Sequence, residues 1–134
     1  MTSPEEHRKI IQQFLDDINE KVRAGLLLER QKLVGFAVSE AAANLLEYFL
    51  HQKQVISPGF RVNHNYFASE KKAERMLDFE FPSKPEMISL MVKIEEFRDQ
   101  LCYGKQKKVS LVEEDLSFLQ QLRELISKES GEEL

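Results

Sequence analysis

The side chain with the strongest chemical promise in this chain is Arg98. It lies four residues after Ile94 and three before Leu101, so a helix would set its stem at the margin of an apolar face. A guanidinium at that border wants a carboxylate, a carbonyl or a ligand phosphate, and an internal ion pair and a functional role satisfy it equally well. Asp99 follows it directly, and Tyr103 stands five positions on. His64 falls between Arg61 and Tyr66 in a turn-rich stretch, flanked by Asn63 and Asn65. There a histidine either completes a loop's hydrogen bonds or serves a ligand. Lys105, Lys107 and Lys108 form a cationic run without acids. With Tyr103 and Tyr66 they offer charge and stacking to a phosphodiester or a nucleotide, or they simply solubilise a turn.

Other chemistries are excluded by spacing. A phosphate loop needs closely set glycines whose bare amides cradle oxygens, whereas Gly25, Gly35, Gly59, Gly104 and Gly131 are far apart. His7, His51 and His64 belong to separate elements and no His-Glu-x-x-His occurs, so no metal site and no cofactor are expected. Glu95 and Glu96 read as a solvated helix face. The single cysteine, Cys102, has no partner for an internal disulfide. The lysines nearby would lower its thiol pKa if it faced them, although an inert cysteine is the commoner case. No self-sufficient catalytic site emerges.

The elements that must position these residues are helices. Ser3 followed by Pro4, Glu5 and Glu6 opens the first, and Ile10, Ile11, Phe14, Leu15, Ile18 and Val22 recur at three- and four-residue spacing along it. A second helix from about Leu28 to Gln52 turns Val34, Ala37, Val38, Ala41, Ala42, Leu45, Tyr48 and Phe49 inward. Its small Ala41–Ala43 segment suits close helix crossing, which makes it the expected central helix. Ser57, Pro58, Gly59, Asn63 and Asn65 mark a long connection. A short helix begins at Ser69 and Glu70 and ends near Leu77. Ser83 with Glu86 and Ser110 with Glu113 read as capping boxes for two further helices. Their apolar faces are Met87, Leu90, Met91, Ile94, Phe97 and Leu101, then Val112, Leu116, Leu119, Leu122 and Ile126. The first of these stops near Gly104.

These signals predict an all-α, single-domain antiparallel bundle over residues 1–134, with four longer helices, one short one and a frayed acidic tail at 129–134. The chain has 134 residues, 42% apolar and 31% charged, with five glycines and four prolines, a profile that suits packed helices and not disorder. A net charge of −4 argues against a general polyanion binder while leaving room for a local basic patch. From Glu113 onward seven acids face only Arg123 and Lys128. The amino terminus lacks the basic and apolar regions of a secretory leader, and no run approaches the roughly 20 apolar residues of a membrane span. With one cysteine, a cytoplasmic, membrane-free setting is expected.

The pattern resembles the HEPN superfamily across roughly Val34 to Tyr103. Phe36-Ala37-Val38-Ser39-Glu40-Ala41-Ala42-Ala43-Asn44-Leu45-Leu46 is similar to the family's alanine-rich second helix, and His64 falls where many members have a loop histidine. Arg98-Asp99-Gln100-Leu101-Cys102-Tyr103 resembles its signature of an arginine, a polar residue, and a histidine five positions after the arginine, with Tyr103 in the histidine's place. The resemblance implies a homodimer with a shared groove near Arg98. It also implies a nucleotide, RNA or protein ligand at Arg98, Asp99, Tyr103, His64 and the Lys105–Lys108 loop, and a nucleotidyltransferase as partner protein. Ribonuclease members are thought to cut with the arginine and histidine of two subunits. A phenol, with a reference pKa near 10, is a poor proton shuttle at neutral pH, so a non-catalytic binding domain is the expectation. The alternatives are a protein-interaction or antitoxin-like module that receives a partner helix on an exposed part of the first helix's stripe, and a metal-independent ribonuclease using His64.

Overall fold

The computed structural model describes residues 3–134; Met1 and Thr2, which belong to the amino terminus expected to carry no leader, lie outside them. Helices account for all its regular structure, and no strand occurs among the described residues. α1 spans Pro4–Arg23, α2 Gln31–Gln52, α3 Glu70–Met76, α4 Lys84–Cys102 and α5 Val109–Ser130, with a short 3-10 turn at His64–Ala68. Four helices are long and one is short, as the periodicity indicates.

α2 is the hub. α1, α4 and α5 all pack on it, and fourteen of its residues are buried, so it is apolar nearly all round, as a helix enclosed by others must be. All eight of the residues expected to face inward are buried. α2 is long and apolar enough to cross a bilayer by length and composition, but most of that surface is covered by its neighbours. Leu45, Leu46, Phe49 and Leu50 are fully enclosed. Each such side chain contributes about 2 kcal/mol on leaving water.

Three small residues let helices approach. Ala41 and Ala42 have no exposed surface, and Gly35 brings α2 against α4 so closely that an added Cβ would lie 2.9 Å from Leu101 Cβ. Gly35→Ala gains about 1 kcal/mol of helix propensity and loses about 2 kcal/mol to overpacking. A net destabilisation of about 1 kcal/mol is expected, read as a fall of about 3–5 °C in the thermal midpoint. A midpoint at or above that of the parent would show that α4 gives way freely.

Helix ends divide into those the sequence marks and those the tertiary structure sets. Ser3 caps α1 in a complete capping box with Glu6, and Ser69 Oγ accepts from Lys72 N at 3.0 Å to open α3. The other two expected capping boxes do not form. Ser83 takes a left-handed conformation, φ +58°, and its side chain makes no cap hydrogen bond. Ser110 lies inside α5, which starts one residue earlier and has Lys108 at its cap without a side-chain bond. Val22 is exposed because α1's stripe outruns its contact with α2, whereas Ile11, Leu15 and Ile18 are buried. At the carboxyl end, where fraying is expected, residues 129–134 are tied back by specific bonds. Arg123 Nε donates to Leu134 O at 3.0 Å, Leu134 N donates to Ser127 Oγ at 3.0 Å, and the Tyr48 hydroxyl donates to Glu132.

Candidate functional site

Ser39 and Glu40 are neighbours on the same turn of α2, Glu95 and Arg98 lie three apart on α4, and His64 opens the 3-10 turn. The turn forms because Asn63 Oδ1 accepts from Asn65 N at 2.8 Å, an Asx cap that starts it and sets His64 in place. His64 Nδ1 lies 2.8 Å from Glu95 Oε2 and Nε2 lies 3.4 Å from Glu40 Oε1. Ser39 Oγ donates to Glu95 Oε2 at 2.8 Å, and Arg98 Nη1 donates to Ser39 Oγ at 3.3 Å. Arg98 also sits 3.8 Å from Glu95 Oε1 and lays its guanidinium 5.5 Å from the Phe36 ring centre. A chain of charge-assisted bonds thus runs Arg98, Ser39, Glu95, His64, Glu40 across three elements.

Electrostatics follow from this wiring. The hydrogen bonds to Glu40 and Glu95 raise the His64 pKa to about 9 against its partial burial, so it is an imidazolium at neutral pH. Its contact in turn lowers the pKa of Glu40, with the Arg98 charge helping. Ser39 Oγ and His64 Nδ1 are 3.1 Å apart, an approach that would suggest an activated hydroxyl. A ring that already carries both protons has no lone pair to accept the hydroxyl's, and both of its nitrogens face carboxylates. The cluster is built to hold charge and not to move protons at pH 7.

Beside it opens a cleft of about 430 Å³ whose walls include His64, Arg98, Asp99 and Tyr103. Four of the seven residues expected at a site are therefore gathered in one place. Lys105, Lys107 and Lys108 are not part of its lining. Lys107 is pinned to the start of α2, where its amide donates to Gln31 Oε1 at 2.7 Å and its carbonyl accepts from Gln31 Nε2 at 2.9 Å; its ammonium folds onto Lys105 O. The chain matches no family model, no curated protein and no solved structure.

Several expectations need correction. Glu95 is no solvated carboxylate; it is largely covered and forms the junction of the network. Cys102 follows the commoner of its two readings, the inert one: burial pushes its pKa up and its Sγ donates to Lys32 O at 3.3 Å. Periodicity passed over Ser39, Glu40 and Asp115. Ser39 is fully buried within α2's apolar run, and a hydroxyl there needs a partner, which is the one signal that pointed to it. The separate placement of the histidines also misled: α1 packs on α2 and brings His7 beside His51.

Proposed function

We propose that this chain is an antiparallel, HEPN-like helical domain that acts by binding and not by turnover, pairing with a second copy of itself through the surface around Arg98. The observation that carries this reading is an apolar rim framing a fixed guanidinium. Phe36 on α2 is 43% exposed, and Tyr103 at the end of α4 is 65% exposed. Phe36 lies under Arg98, and Tyr103 shares its cleft. Large apolar side chains gathered around an arginine are what the centres of protein interfaces contain.

Charge supports a protein surface as the occupant. The cleft sets His64 and Arg98 against Glu95, Glu96 and Asp99, a balance that gives a polyphosphate little attraction. A catalytic role for His64 is disfavoured by its raised pKa, and the antitoxin-like reading is narrowed to Val22 and the partly covered Ile10 and Phe14 by the burial of Ile11, Leu15 and Ile18. RNA or nucleotide binding is kept as a second reading because Lys105 and Lys108 are exposed next to Tyr103. In that case a nucleotidyltransferase is the partner the resemblance suggests.

Sedimentation equilibrium tests the proposal. The parent chain is expected to be dimeric, and Phe36→Glu monomeric with an unchanged circular dichroism spectrum, since Phe36 is half in solvent. Arg98→Ala should weaken the dimer without unfolding it. A parent that stays monomeric at its solubility limit sinks the self-pairing idea. Binding to single-stranded RNA that falls steeply with salt, and is lost on replacing Lys105 and Lys108 with alanine, would favour the second reading.

A further inference from the structure

α1 and α2 bring together three metal-ligating side chains that play no part in the cleft. His7, in the first turn of α1, is 1% exposed. Glu47 and His51 lie four apart on one face of α2, facing it. The nitrogen and oxygen atoms that the three offer all lie within 4.8 Å of one another.

The hydrogen bonds around His7 decide what it offers. Asn44 Nδ2 donates to Glu40 O at 2.8 Å, which turns the carboxamide oxygen toward His7. Asn44 Oδ1 lies 2.9 Å from His7 Nδ1, so that nitrogen carries the proton and donates. In the neutral ring Nε2 then presents a lone pair. Nε2 is buried without a hydrogen-bond partner, yet it sits 3.3 Å from Glu47 Oε2. Two acceptors face each other across a gap that only a proton or another cation can reconcile. The opposite oxygen, Glu47 Oε1, accepts from Val62 N at 3.3 Å, which fixes the carboxylate and leaves Oε2 directed at His7.

We propose that His7 Nε2, Glu47 Oε2 and His51 form a site for a borderline transition-metal dication, Zn²⁺ foremost, that ties α1 to α2 and leaves a fourth position for water. Two imidazoles and one carboxylate are a zinc donor set, whereas Mg²⁺ and Ca²⁺ prefer oxygen alone. Metal–ligand bonds of about 2.0–2.1 Å put tetrahedral ligands about 3.4 Å apart. The cluster therefore closes by an inward swing of His51, which is partly exposed near the end of α2, around a fixed His7. Asn44 is the outer partner that orients His7.

The test uses the untagged full chain, stripped with chelator and titrated with ZnCl₂ by calorimetry. Co²⁺ is followed in parallel by visible absorption. One Zn²⁺ per chain, a tetrahedral Co²⁺ band, and a thermal midpoint that rises with Zn²⁺ but not with Mg²⁺ are expected. Glu47→Gln and His51→Ala should each lose the Zn²⁺-dependent rise while keeping the metal-free spectrum of the parent, which covers the case in which His7 variants fail to fold. Asn44→Ala should bind about tenfold to a hundredfold more weakly. Absence of stoichiometric Zn²⁺ binding, or binding unchanged in His51→Ala, overturns the proposal.

Discussion

Asp115→Asn is expected to leave stability nearly unchanged at pH 4 and to raise it by about 3–5 kcal/mol at pH 8. Asp115 has no exposed surface, and neither carboxyl oxygen has a hydrogen-bond partner. Burial, with the Glu95 charge adding, pushes its pKa up to about 8. In the unfolded chain it titrates near 4. Between about pH 4 and 8 the unfolded state therefore releases a proton that the folded state keeps, so stability falls as pH rises through that window and levels off beyond it. The carboxamide has the same shape and cannot ionise, which removes the slope. A shift of about four units corresponds to about 5 kcal/mol, and local relaxation lowers that toward the quoted range. Urea unfolding of parent and variant at the two pH values measures it, and a gain independent of pH would contradict the assignment.

His64→Ala should cost about 2 kcal/mol at pH 6 and much less above pH 9.5. The raised pKa of about 9 means that the stabilisation from Glu40 and Glu95 is fully present below about pH 6.5 and is lost as pH climbs through 9. A shift of about 2.5 units sets a ceiling near 3 kcal/mol, and solvent at the partly exposed ring screens some of it. Glu40 works in the opposite window: its lowered pKa gives stability that is present above its unfolded value and fades as pH falls through the folded one. The network is thus intact from mildly acidic to mildly alkaline pH. An imidazole proton resonance that titrates near 9 is expected for His64, and a midpoint near 6.5 would mean that the two carboxylates do not hold it.

The two carboxyl-bearing junctions explain why the candidate site was only half legible. Arg98 and His64 stood out because an arginine at an apolar margin and a histidine among turn formers are odd in their local setting. Glu95 and Glu40 did not, because a glutamate on a helix is ordinary until another element covers it. α4 and the 3-10 turn close over Glu40, α2 and the same turn close over Glu95, and that closure raises the pKa of His64 and lowers that of Glu40. The lysine loop shows the reverse error. Its charges are conspicuous in one dimension, yet the Gln31 clamp anchors the loop backbone to the start of α2, and the cleft is lined without its lysines.

What the residues determine by themselves is whatever depends on neighbours three or four positions away. The helical class, the five segments, the burial of α2's apolar face and the caps at Ser3 and Ser69 all follow from local spacing, because a helix sorts side chains to faces before it meets another helix. The tertiary structure alone decided the left-handed turn at Ser83, the unpartnered carboxyl of Asp115, and the meetings of His64 with two glutamates and of His7 with Glu47 and His51. Each of these depends on where a helix lands on its neighbour, and solvation and partner distance, which set charge and reactivity, exist only once the helices have packed.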